Sequence, residues 1–133
     1  MTLNHDAYHS YHAVNLGAQT ATASPVELVL VLMDGLLEEI ARARGHIEAG
    51  RFEQKAASLD RCVEILNGLS SALDTQAGGE VVANLERLYE FCAWRLYNAG
   101  FTLDTQNLDD VTELLATLKS GWEGVLARNR GTA

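Results

Sequence analysis

The chain has 133 residues, a formal net charge of -8 and a pI near 4.8; 47% of its residues are hydrophobic and its mean hydropathy is -0.04. That size suits one domain with a single core, and the acidic balance argues against nucleic acid, whose binders carry a basic face. No apolar run reaches the roughly 18 residues of a membrane span, and no basic segment followed by an apolar one opens the chain. A cytoplasmic protein without membrane insertion is therefore expected.

Residues 1–23 read as a flexible arm of small and polar residues. Tyr8, Tyr11 and Val14 stand out in it, three apart. They can lie together on an apolar surface, or simply belong to a frayed terminus. His5, His9 and His12 follow helical i, i+4, i+7 spacing. No carboxylate or cysteine pattern beyond Asp6 supports a metal there, and an arm is a poor platform for a preorganised site. No metal and no cofactor are expected.

The organising stretch begins at Ser24. Ser24 suits an N-cap, Pro25 the first helical position and Glu27 the third, which completes a capping box. At about 100° per residue, Val26, Val29, Met33, Leu36, Leu37, Ile40, Ala43 and Ile47 form one broad stripe, enough for a bundle core. Leu28, Val31 and Leu32 lie off that stripe, on a flank that turns polar at Glu39, Arg42 and His46. A helix apolar on every side needs cover on every side. Either another part of the chain or a partner must supply it.

The first helix is expected from Pro25 to about Glu48, with Ala49-Gly50 ending it. A second runs from about Arg51 to Leu73, with Phe52, Ala56, Leu59, Val63, Leu66 and Leu73 as its stripe, joined by Cys62, Ile65 and Leu69. The stretch from Asp74 to Gly79 is rich in helix breakers. A third helix follows from about Glu80 to Ala99 or Phe101, with Val81, Leu85, Leu88, Cys92, Leu96 and Ala99 inward and Tyr89 at their flank. Phe91, Trp94, Tyr97 and Phe101 project elsewhere. Aromatics half-covered by neighbours are common, yet a cluster of exposed ones is also what a peptide-binding surface offers.

Asn107 is expected to cap a fourth helix, with Asp109 and Asp110 placing negative charge at its N-terminus. Its stripe holds Leu108, Val111, Leu114, Leu115, Leu118, Trp122, Val125 and Leu126. Short connections make neighbouring helices antiparallel. The expected fold is all-α: an antiparallel up-down four-helix bundle over residues 24–128, an arm over 1–23 and a tail over 129–133, in one domain of 1–133. Cys62 and Cys92 fall on apolar stripes outside any CxxC pair, which reads as two small core residues rather than a disulfide.

Catalytic patterns are missing. There is no Glu-x-x-His for a di-iron site, no phosphate-binding glycine loop and no Gly-x-Ser-x-Gly elbow. Asp34 interrupts an apolar face and suits a cap or an ion pair. Arg95 suits snorkelling or pairing with a carboxylate. No enzyme is expected.

The order of residues resembles one family. Ala23-Ser24-Pro25-x-Glu27-Leu28, then Leu32-Met33-Asp34-Gly35, is similar to the opening helix of the FliS flagellar export chaperones. Gly78-Gly79-Glu80, Asn84-Leu85, Leu88-Tyr89, Arg95-Leu96, Asn98-Ala99 and Trp122 continue the likeness, and Tyr8, Tyr11 and Val14 match the family's arm. Met33 stands where the family usually has an aromatic, and Gly100 and Trp94 also depart from the common pattern. The resemblance implies a helical bundle in the bacterial cytosol that binds the disordered C-terminal segment of flagellin. It implies that this prevents premature polymerisation and delivers the subunit to the flagellar export gate, with the arm able to cover the empty site. Contacts are then expected at Tyr8, Tyr11, Val14, Leu28, Val31, Leu32, Trp94, Tyr97 and Phe101. The alternative is a bundle that serves another protein client or forms a weak homodimer.

Overall fold

A computed structural model describes residues 24–74 and 79–131. Tyr8, Tyr11 and Val14, and with them His5, His9 and His12, lie outside the described residues. Four helices make up the described chain: α1 (Pro25–Ala49), α2 (Phe52–Asp74), α3 (Gly79–Thr102) and α4 (Gln106–Gly131). No strand occurs among the described residues.

The capping box at the start of α1 forms. The Ser24 hydroxyl accepts from the Glu27 N–H at 3.2 Å, and the Glu27 carboxylate accepts from the Ser24 N–H at 3.3 Å. Gly50 ends α1 at φ 72°, where a side chain would be strained. Its N–H reaches the Ile47 carbonyl and the next N–H, of Arg51, reaches that of His46, so the last turn's carbonyls are satisfied.

Ion pairs and contacts between helices fix their directions. Leu32 lies against Gly68 and Glu39 against Arg61, so α1 and α2 run antiparallel. Lys55 reaches the Gly100 carbonyl from α2 to α3, and Arg95 pairs with Asp110 from α3 to α4. Along α1 and α4, Asp34 meets Lys119 at 2.7 Å, Arg44 meets Asp109, and Glu27 meets Arg130 at 3.5 Å. Each helix packs on its two neighbours and, among the described residues, not on the diagonal one. The fold is thus the expected antiparallel four-helix bundle.

The core is built from the inward stripes: Met33, Leu36, Ile40 and Ala43 of α1, Cys62, Leu66 and Leu69 of α2, Cys92, Leu96 and Ala99 of α3, and Leu108, Val111 and Leu115 of α4. Burying each large aliphatic side chain contributes about 1.5–3 kcal/mol relative to exposure. Both cysteines are free and buried. Burial pushes the Cys92 thiol up to about 11 and the Cys62 thiol higher still, with the Glu39 carboxylate adding to the latter.

Five local expectations need correction. Phe52 and Val81 are exposed rather than core, as is Ala56. All three sit in the first two turns of their helices. Glu39, expected on a polar flank, is 1% exposed. Arg61 from α2 at 3.2 Å and Arg42 at 3.0 Å compensate its charge, as burial requires. Asn107 is not the cap of α4: the Asp104 carboxylate accepts from the Gln106 N–H at 3.0 Å, and Asn107 is buried. Tyr89 is a core residue, 2% exposed, rather than a flanking one. Finally, α4 continues to Gly131, into the stretch expected as a tail, with Arg128 and Arg130 favourably placed at its negative end.

Candidate binding surface

The periodicity of α3 separates two faces. Cys92, Leu96 and Ala99 point into the core, and at about 100° per residue this turns Phe91, Trp94, Tyr97 and Phe101 away from it. These four aromatics are 44%, 61%, 53% and 87% exposed. They occupy the C-terminal half of α3, whose N-terminal half presents Arg87 and Glu90 on the same outer side. Scattered apolar residues on a surface need no explanation, but contiguous aromatics on one helix do.

Polar contacts hold this row on both sides. Towards α4, the Arg95 guanidinium lies 5.6 Å from the centre of the Phe91 ring, a cation–π distance. The same group donates to the Asn107 side-chain oxygen at 2.6 Å and pairs with Asp110. The amide of Gln106 donates to the other Asp110 oxygen at 2.8 Å. The Gln106 hydrogen bond first, and Arg95 second, hold the Asp110 carboxyl below the usual carboxylate range.

Towards α2 there is a shallow open groove, lined by Lys55, Ala56, Leu59 and Asp60 on one side and Tyr97, Gly100 and Phe101 on the other. Small residues make the depression: Ala56 in α2 and Gly100 in α3. A Cβ on Gly100 would come within 3.2 Å of the Leu59 side chain, so the glycine lets α3 approach α2 there. Phe52 extends the apolar surface at the start of α2, with the Lys55 amine 5.6 Å from its ring centre.

Just beyond α3, Leu103 adopts φ 58°, the left-handed conformation that glycine usually fills. Its N–H bonds the Ala99 carbonyl at 2.9 Å, and its side chain is 39% exposed beside the aromatic row. Sequence reasoning missed Leu103 and Phe52 as surface residues. The signal available for Phe52 was its place immediately after the Ala49-Gly50 break. A left-handed leucine has no sequence signal.

The second group of expected contacts is placed differently. Leu28, Val31 and Leu32 are each half-buried, and Leu32 packs against the edge of the core. Gly68 of α2 lies beside it: a Cβ there would meet a Leu32 methyl at 4.0 Å, an ordinary contact. The structure therefore does not bring the α1 residues together with Trp94, Tyr97 and Phe101. Leu32 is level with Gly68 of α2 and Gly100 with Leu59, roughly 14 Å apart at 1.5 Å per residue. Asp34, next in line on α1, is exposed and its partner is Lys119.

No group of three or more His, Cys, Asp or Glu side chains among the described residues is arranged to hold a metal ion. No helix among them is long and apolar enough to cross a membrane. What the surface offers is apolar contact area with polar edges.

Comparison with known proteins identifies the family. The family model described as flagellar protein FliS matches residues 7–129. The chain is 41% identical over 119 residues to the flagellar secretion chaperone FliSB of Pseudomonas aeruginosa, covering 90% of this chain and 94% of that one. It is 31% identical to the flagellar secretion chaperone FliS of Vibrio cholerae, covering 87% and 85% of the two chains. The corresponding Salmonella typhimurium protein is 32% identical, with 87% of each chain covered. These matches, over a chain that folds as a four-helix bundle, place it in the FliS family of flagellar secretion chaperones.

Proposed function

We propose that this chain is a cytosolic export chaperone that binds the disordered C-terminal segment of flagellin. Binding keeps the segment from polymerising early, and the complex delivers it to the export gate. The observation that carries this reading is the row Phe91, Trp94, Tyr97 and Phe101, exposed along one face of a helix that buries Tyr89, Cys92, Leu96 and Ala99 on the other.

The physics is that of a helix laid in a groove. A disordered segment that folds on binding loses about 2–5 kcal/mol to ordering. The receptor must offset this with concentrated apolar contacts. Truncating a buried aromatic anchor at an interface commonly costs about 2 kcal/mol or more, which is the kind of contact this row offers. Leu28, Val31 and Leu32 supply a second, shallower contact at the other end of the bundle. Tyr8, Tyr11 and Val14 of the arm contact the same apolar surface and cover it when no client is present. The chain works by binding, without covalent chemistry.

Calorimetric titration with a peptide of the C-terminal segment of the organism's own flagellin tests the proposal. The expected result is one-to-one binding with a strongly negative heat-capacity change, weakened by Tyr11→Ala and by Leu32→Asp. Absence of heat and of co-elution, with a folded protein, overturns the flagellin assignment. Unchanged affinity in both variants removes the arm and the α1 contact from it.

A further inference from the structure

We infer that Lys55 is a positioning residue of the client surface: it latches the end of α3 to α2 and so keeps a socket open between Tyr97 and Phe101 for one large apolar side chain of the client. This rests on the chaperone reading above and adds to it a residue outside the aromatic row and a specific subsite.

Three observations meet at Lys55. Its amine donates to the Gly100 carbonyl at 2.9 Å, across the α2–α3 boundary. Gly100 lies in the last turn of α3, where carbonyls lack partners within the helix. A lysine at this negative helix end is also favoured by the dipole. Secondly, the same amine lies 5.6 Å from the centre of the Phe52 ring, so the latch is anchored to the exposed start of α2. Thirdly, Lys55 and Gly100 both line the groove whose walls are Tyr97 and Phe101.

The small residues give the socket its shape. Ala56 leaves room on the α2 side, and Gly100 lets the two backbones close up over Leu59. Without the latch, the last turn of α3 meets α2, among the described residues, through apolar side chains, and that turn carries Phe101. Fraying moves the ring and closes or widens the socket. With the latch, the client meets a preformed site and loses less to ordering. Lys55 and Asp60 put one charge of each sign at the rim. The socket therefore suits an uncharged apolar anchor, a leucine, methionine or phenylalanine, on an amphipathic helix.

The test compares Lys55→Met, which keeps the apolar stem and loses the donor, with Lys55→Arg, which keeps a donor and the charge. Lys119→Met, which breaks the Asp34 pair of α1 and α4, serves as the control for a general loss of stability. In the client-free protein, amide exchange is read at residues 99–103 by NMR, with contacts between the Ala56 methyl and the Tyr97 and Phe101 rings. Lys55→Met is expected to speed exchange there by about tenfold and to weaken the ring contacts. Lys55→Arg restores both, and Lys119→Met changes neither. Affinity for the flagellin peptide should fall by about five- to tenfold in Lys55→Met alone. Unchanged exchange and ring contacts in Lys55→Met overturn the latch. Faster exchange with undiminished affinity overturns its role in client binding. If the wild-type protein binds no flagellin peptide, the chaperone assignment and the client socket fall together, while the exchange measurement still decides the latch.

Discussion

Helices α1 and α3 carry the same signature, a core stripe plus apolar residues left over, and the bundle treats the two surpluses differently. On α1, Leu28, Val31 and Leu32 all end half-covered, and Leu32 packs beside Gly68 of α2. On α3, Trp94 and Phe101 lie on the outer side and no described helix crosses them. An apolar surplus therefore does not by itself mark a binding face. What decides is whether a neighbour stands on that side.

The contrast can be broken most forcefully from the inside of α3. Leu96→Ala, one turn of helix from the aromatics but fully buried, should cost about 2–5 kcal/mol of stability, read as a lower denaturant midpoint. Trp94→Ala or Phe101→Ala on the outer face should change stability by less than about 0.5 kcal/mol. Either should instead weaken the flagellin peptide by about tenfold or more, as expected for an interface anchor. A large stability loss in the outer variants would mean that the face is packed, not presented.

A further variant sharpens what holds the row in place. The Asp110 carboxyl is held below its ordinary value of 3.8 by Gln106 and Arg95. A carboxyl lowered in the folded state stabilises above the unfolded value, and this contribution is lost as pH falls through the folded one. Asp110→Asn should therefore lower stability at neutral pH and show a shallower loss below about pH 4. Thermal unfolding of both proteins between pH 7 and pH 2 measures it. The smallest effect is expected at Leu103. Leu103→Gly relieves a left-handed backbone (φ 58°) whose strain costs a side chain about 1 kcal/mol. The variant should raise the unfolding midpoint slightly, by at most that amount.

How legible these features were depended on their range. Local signals read well: the Ser24-Pro25-x-Glu27 capping box, the Gly50 stop and the inward stripes appear as the sequence implies. So does the outward turn of Trp94 and Phe101, because helical period alone sets it. The rest required knowing where each neighbour begins and ends. Phe52 and Val81 continue an inward period yet emerge from cover in the first turn. Glu39 looks like a surface acid until Arg61, 22 residues further on, is found opposite it. Asn107 has a cap's identity but is drawn inward by Arg95, leaving the capping to Asp104. Lys55 carried no motif at all, and only the approach of Gly100 gives it a place in the binding surface.

The central claim is that the outer face of α3 receives the client, and Trp94 can report on this directly. The chain has two tryptophans, and Trp122 is half-buried and packed against the core. A Trp122→Phe variant leaves Trp94, 61% exposed, as the single indole. Its emission is recorded during titration with the C-terminal flagellin segment, with binding followed in parallel by calorimetry. The account predicts that emission shifts to the blue and that acrylamide quenching falls, both saturating at the calorimetric stoichiometry. Binding heat with unchanged emission and unchanged quenching would place the client elsewhere and contradict the account.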